Sequence, residues 1–226
     1  MKKLFTILLV LVVSFGTSSC VNFIEKIFFN ENGSGTYTFT LDMSELKSLA
    51  ELTKQDISSE TIMDEINFDD NDMVQKLNKI EGLSKVSTEF DDDNFSLTIG
   101  FDFKDINALN VGMSTYLADS TKLEIEMFDF FSIKKNKITR LDINPTLDTF
   151  QKQMSTEAEE EEATLDMMKM MFSDLYYSSV ITTAKKIKSF SSKEYTSKGD
   201  NSISWIFYPF QNENAKKDIS VTLKTK

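Results

Sequence analysis

Acidic side chains are the commonest groups in this chain that could do chemistry. There are 36 Asp and Glu against 25 Lys and Arg, no histidine and a single cysteine. Asp69-Asp70-Asn71-Asp72 followed by Glu81 offers oxygen ligands for a hard cation, and Asp70 to Glu81 spans the twelve positions of a calcium loop. The interior of that span lacks the pattern: Val74 and Gln75 stand where such a loop needs an oxygen ligand and a glycine. Asp91-Asp92-Asp93 reads as a solvated hairpin tip, and Glu157–Glu162 as a solvated face that could also dock a basic partner. Met154, Met167, Met168, Met170 and Met171 carry thioethers suited to cuprous ion. Leu165, Phe172 and Leu175 share their stripe, which points to apolar packing instead. Without histidine there is no Ser-His-Asp or Cys-His unit and no imidazole-bound zinc. Among so many carboxylates, no spacing singles out a catalytic pair. Gly33-Ser34-Gly35 precedes a strand pattern rather than following one, so it reads as a hairpin turn and not as a phosphate loop. The net charge of −11 argues against nucleic-acid binding. The expectation is a protein that is not an enzyme, with no cofactor and no metal.

The one cysteine has a different meaning. Met1-Lys2-Lys3 is followed by an apolar run from Leu4 to Phe15, and then by Gly16-Thr17-Ser18-Ser19-Cys20. The run is too short to span a hydrocarbon core, which takes about 20 residues. A positive start, a short apolar stretch and small residues behind it form an export signal. Cys20 directly after the small residues resembles a bacterial lipoprotein signal, with Thr17 where that pattern favours Leu. The resemblance implies a cut before Cys20, acylation of its thiol, and more than one acyl chain, which stable anchoring requires. Removing residues 1–19 takes away Lys2 and Lys3 and no acid, so the charge moves from −11 to −13. Residues 1–19 are thus expected to be a signal peptide and residues 20–226 one domain in the cell envelope. The membrane is its partner through Cys20. Val21-Asn22-Phe23-Ile24-Glu25 shows no run of acids, so the expected location is the outer membrane, facing the periplasm.

Strand signals dominate the remainder. Tyr37, Phe39, Leu41 and Met43 alternate with Thr and Asp, and Phe95, Leu97, Ile99, Phe101 and Phe103 with small or polar residues. Ile203, Trp205 and Phe207, and then Ile219, Val221 and Leu223, repeat the pattern. Period-two alternation marks strands with one buried and one wet face. Asn-, Asp- and Gly-rich connectors at 30–35, 91–94, 134–137, 198–201 and 211–214 read as tight turns. Helical spacing is found from Ser44, placed as an N-cap, to about Gln55, over Asn71–Ile80 and over Asp105–Leu117. After Pro145, Leu147, Phe150, Met154, Ala158, Leu165, Met168, Phe172 and Leu175 predict an amphipathic helix of about 28 residues, within an acidic, Met-rich segment 146–175.

Nineteen phenylalanines can fill a core or line a hollow one. A pocket between sheet and long helix would take an apolar ligand against Phe39, Phe101, Trp205 and Phe172. The pattern Asn30-x-x-Gly33-Ser34-Gly35-x-Tyr37-x-Phe39-x-Leu41-Asp42-Met43-Ser44, with Ser202-Ile203-Ser204-Trp205 near the C-terminus, resembles small bacterial lipoproteins that share this Gly-Ser-Gly hairpin. More distantly it is similar to the LppM-type lipoprotein domain. That resemblance implies an α+β fold and hydrophobic-ligand binding. The expected fold is therefore α+β, a largely antiparallel sheet with helices packed on one face, including the long one. The expected function is a lipid-anchored, non-enzymatic envelope lipoprotein that binds a lipid or other apolar ligand between sheet and helix. The alternative is an interaction or structural module that meets an envelope protein through its acidic helix.

Overall fold

A computed structural model of the chain describes residues 21–45, 47–48, 70–121, 129–141, 174–208 and 220–226. Strands are β1 (Asn22–Phe29), β2 (Gly35–Asp42), β3 (Leu83–Asp91), β4 (Ser96–Phe103), β5 (Phe131–Lys134), β6 (Lys137–Arg140), β7 (Tyr177–Thr183), β8 (Ile187–Phe190), β9 (Thr196–Ser197), β10 (Ser202–Phe207) and β11 (Val221–Thr225). Helices are α1 (Asp70–Asn78) and α2 (Ile106–Thr121). The strands form a seven-stranded sheet, β3-β4-β2-β1-β7-β10-β9, and a separate four-stranded sheet, β5-β6-β11-β8. The pairings are antiparallel except β1 with β7, which run parallel from Phe23–Tyr177 to Phe29–Thr183.

This corrects the expected α+β architecture. The described residues are mostly β, with two helices and two sheets. Helices do not make up the whole layer over the main sheet. The second sheet covers part of it: Ile133 lies against the β1–β2 turn, and the Phe131 ring meets Phe29 edge-on at 5.7 Å. The alternation of short strands is the same whether they join one sheet or two, so the pattern alone could not separate them. Residues 211–214 lie outside the described residues; β10 and β11 on either side of them belong to different sheets. The long helix over 147–175 lies outside the described residues except at its end. There Asp174 is in a turn and Leu175, which is buried, is not helical.

The inward residues of the main sheet are those the alternation marks. Tyr37, Phe39, Leu97, Ile99, Phe101, Phe103, Ile203, Trp205 and Phe207 are buried. Over β2 and β4 the layer is helical: Tyr116 of α2 meets Phe39 at 5.1 Å, and Gly112 sits where a Cβ would come 2.9 Å from Phe101. Asp105 caps α2, its carboxylate accepting the Ala108 amide at 3.0 Å. Ahead of the helical residues after β2, the Asp42 carboxylate accepts the Ser44 amide at 3.0 Å.

Two glycines fix the β1–β2 hairpin. Gly33 has φ +86°, in the left-handed region that favours glycine. At Gly35 a Cβ would fall 1.8 Å from the Phe28 carbonyl oxygen, so no side chain fits. Asn32 closes the turn by accepting the Ser34 amide and hydroxyl at 3.1 and 2.8 Å.

Candidate functional site: a sealed polar seam between the sheets

The inward face of β1 reads Phe23, Glu25, Ile27, Phe29, so the pleat that buries the apolar residues also buries a carboxylate. The parallel register of β7 sets Ser179 beside Glu25, with Tyr177 two residues back on the same face. From the second sheet, β6 turns Ile138 and Arg140 inward and Thr139 outward. Arg140 is the only arginine in the chain.

Glu25, Ser179 and Arg140 are each no more than 1% exposed. The Arg140 Nη1 donates to Glu25 Oε2 in a very short contact, and to Ser179 Oγ at 2.8 Å. Nη2 donates to the Tyr177 hydroxyl at 3.0 Å, and the Ser179 hydroxyl donates to Glu25 Oε2 at 2.7 Å. The guanidinium lies over Phe131 at 5.2 Å and beside Tyr177 at 5.9 Å. A fork of five donors can serve three acceptors at once, which a lysine ammonium could not do in this geometry. Burial is the largest influence on Arg140 and pulls its pKa down. Glu25, with Tyr177 and Tyr195, more than reverses this and holds it well above the ordinary value. Burial pushes the Tyr177 and Tyr37 hydroxyls well above the usual tyrosine range, and the neighbouring Glu25 charge adds to this. Among the described residues, Arg140 Nε has no hydrogen-bond partner.

A carboxylate holding a serine hydroxyl is the beginning of a nucleophilic pair. Here the serine oxygen also accepts from Arg140, and both groups are sealed from water. The arrangement ties the two sheets together. Asn110 of α2 makes the companion tie: its amide nitrogen donates to the Phe131 carbonyl at 2.9 Å and its oxygen accepts the Phe131 amide at 2.9 Å.

Sequence reasoning missed both Glu25 and Arg140 as site residues. Two signals could have found them: an acid in phase with Phe23, Ile27 and Phe29, and a lone arginine in a lysine-rich chain. Of the residues expected to line an apolar pocket, Phe172 lies outside the described residues, as does Cys20. Phe39 and Phe101 are neighbours on β2 and β4, and Phe101 stacks on Tyr37 at 5.0 Å. Trp205 stands three strands from β2 and stacks with Phe207 at 5.3 Å and Tyr195 at 6.2 Å. A shallow cleft between β8 and the β9–β10 hairpin, lined by Ile187, Phe190, Asp200 and Ile203 among others, contains none of these aromatics. The Asp91 carboxylate closes its own hairpin tip, accepting the Asp93 and Asn94 amides at 2.9 and 3.0 Å. Its bonds to Asn94 lower its pKa. Of the residues around the acidic and Met-rich runs, 142–173 lie outside the described residues.

No protein-family model matches the chain, and no curated protein matches it. Among solved structures, the chain is similar to the folded domain of the Mycobacterium tuberculosis LppM protein, determined by NMR. The match covers 94% of each chain, with 8% identity and a TM-score of 0.48. This is the lipoprotein domain type to which the Gly33-Ser34-Gly35 pattern is similar.

Proposed function

We propose that this chain is a lipid-anchored lipoprotein of the bacterial cell envelope, held by an acylated Cys20, non-enzymatic, and acting through its surfaces on an envelope protein partner. The observation that carries the reading is the junction at Cys20. The export-type segment ends two residues before β1, and β1 is an interior strand of the main sheet, flanked by β2 and β7. The residue that would be acylated thus leads straight into the fold with no linker between.

The non-enzymatic part of the reading is supported by the seam, where the Glu25–Ser179 pair is closed to water and its hydroxyl is engaged by Arg140. Action through surfaces, rather than through an apolar ligand in the core, is supported by Phe39, Phe101 and Trp205. Each is in ring contact with another side chain, so a ligand at these residues would have to displace Tyr116, Tyr37 or Phe207. The absence of an acidic run after Cys20 supports a periplasmic orientation at the outer membrane.

Mass spectrometry of the protein from its own membrane, intact and after solvent extraction, tests this. Acyl mass on Cys20 and no stoichiometric lipid besides are expected. A thiol left free at Cys20 overturns the anchor. A lipid that copurifies with a Cys20→Ala form overturns the surface reading in favour of a core ligand.

A further inference from the structure

Resting on the anchor reading, we infer that the end of the main sheet where β1 begins is a membrane-facing rim that settles into the headgroup layer of a zwitterionic leaflet, such as phosphatidylethanolamine. Two residues of extended chain from Cys20 to Asn22 span at most about 7 Å, so the end of β1 is held at the lipid surface. Because β1 is interior, the rest of that sheet end is held there with it. β7 starts there, since it runs parallel to β1, and β2 and β10 finish there.

The side chains at this rim suit an interface. Tyr176 leads into β7, its amide donating to Asn22 Oδ1 at 3.3 Å while its carbonyl accepts the Phe23 amide at 2.9 Å. Tyr208 follows β10, and the two half-buried rings meet edge-to-face at 6.2 Å. Tyrosine, with an apolar ring and a polar tip, is favoured where hydrocarbon meets water. Ile206, two residues back from Tyr208 on the outer face, is 52% exposed, more than any other large apolar side chain described. Asp42 and the Asp91–Asp93 tip share this end of the sheet, and Lys47 is turned to the Asp92 and Asp93 carbonyls at 3.0 Å each. An acidic rim on an acidic protein is repelled by anionic lipid, which leaves zwitterionic headgroups as the partner.

The acylated full chain in phosphatidylethanolamine–phosphatidylcholine vesicles, with Cys20 occupied by its lipid, can carry a nitroxide at Ile206→Cys or at Ala184→Cys. Ala184 lies just past the end of β7 that pairs with Phe29, the far end of a β1 about 25 Å long. The label at 206 is expected to collide with a water-soluble nickel chelate several-fold less often than the label at 184. Replacing part of the lipid with phosphatidylglycerol is expected to narrow that gap. Equal collision rates, or a shielded label at 184, overturn the orientation. A gap that phosphatidylglycerol leaves unchanged or widens overturns the zwitterionic partner. Protein that carries acyl mass and floats with the vesicles, yet shows no shielding at 206, defeats this inference alone. Protein without acyl mass that does not float defeats the anchor reading.

Discussion

Two parts of the interior are equally buried and built on opposite principles. Under β2 and β4 the sheet carries aromatic rings and is closed by α2: Tyr37 on Phe101, Phe39 on Tyr116. Under β1 and β7 it is closed by the second sheet, around the charges of Glu25 and Arg140. The aromatic region depends on area and shape, which many apolar residues can supply. The seam depends on a mutual arrangement of charges, each tolerable indoors only while the others are in place. The same depth of burial therefore makes one region tolerant of substitution and the other not.

The largest expected effect is on the seam. Arg140→Met leaves the Glu25 carboxylate buried without its partner and is expected to lower stability by about 3–5 kcal/mol, read from the urea midpoint. The triple replacement Glu25→Met, Ser179→Ala, Arg140→Met removes all three interacting groups and is expected to regain most of that loss. A triple variant as unstable as Arg140→Met would show that packing, rather than an orphaned charge, makes the seam intolerant. In the aromatic region, Phe101→Leu keeps an apolar side chain of similar reach and is expected to cost about 1 kcal/mol. A cost equal to that of Arg140→Met would erase the contrast between the regions.

A pH prediction bears on both. Burial raises the pKa of Tyr37, Tyr116 and Tyr177 above the ordinary value of 10.0. A raised folded-state value stabilises fully below the unfolded value and is lost as pH climbs through and beyond it. Stability is therefore expected to hold up to about pH 10 and then fall. These tyrosines should ionise together with unfolding, which absorbance at 295 nm would follow. Ionisation well before unfolding would mean that water reaches the seam. The smallest effect is expected on the wet face. Thr40 and Thr98 share a hydroxyl bond at 2.9 Å across β2 and β4, and Thr40→Val should change stability by about 0.5 kcal/mol or less.

Several elements are legible in the residue pattern alone. The hairpins of β1 with β2 and β3 with β4 follow from alternation broken by Gly33-Ser34-Gly35 and Asp91–Asn94, and α1 and α2 lie within a few residues of their predicted spans. The seam is not legible there, and the pattern singles out no strand over Tyr177–Thr183, which carries two of its residues. A period of two says which residues share a face, but not which other face they meet. Glu25 and Arg140 are 115 positions apart, and no local rule pairs them. The division into two sheets is hidden for the same reason, because β6 and β11 pair across about 80 residues of intervening chain.

By itself, the sequence determined the strand faces, the turn that admits only glycine, and the short stretch from Cys20 to the first strand, because each depends on neighbours a few residues away. Tertiary structure alone decided that the inward acid of β1 would meet the only arginine, that a second sheet rather than a helix would cover that acid, and which aromatic rings would fill the interior. Those outcomes depend on contacts between distant segments, where desolvation makes an unpaired charge intolerable and only the assembled fold supplies its partner.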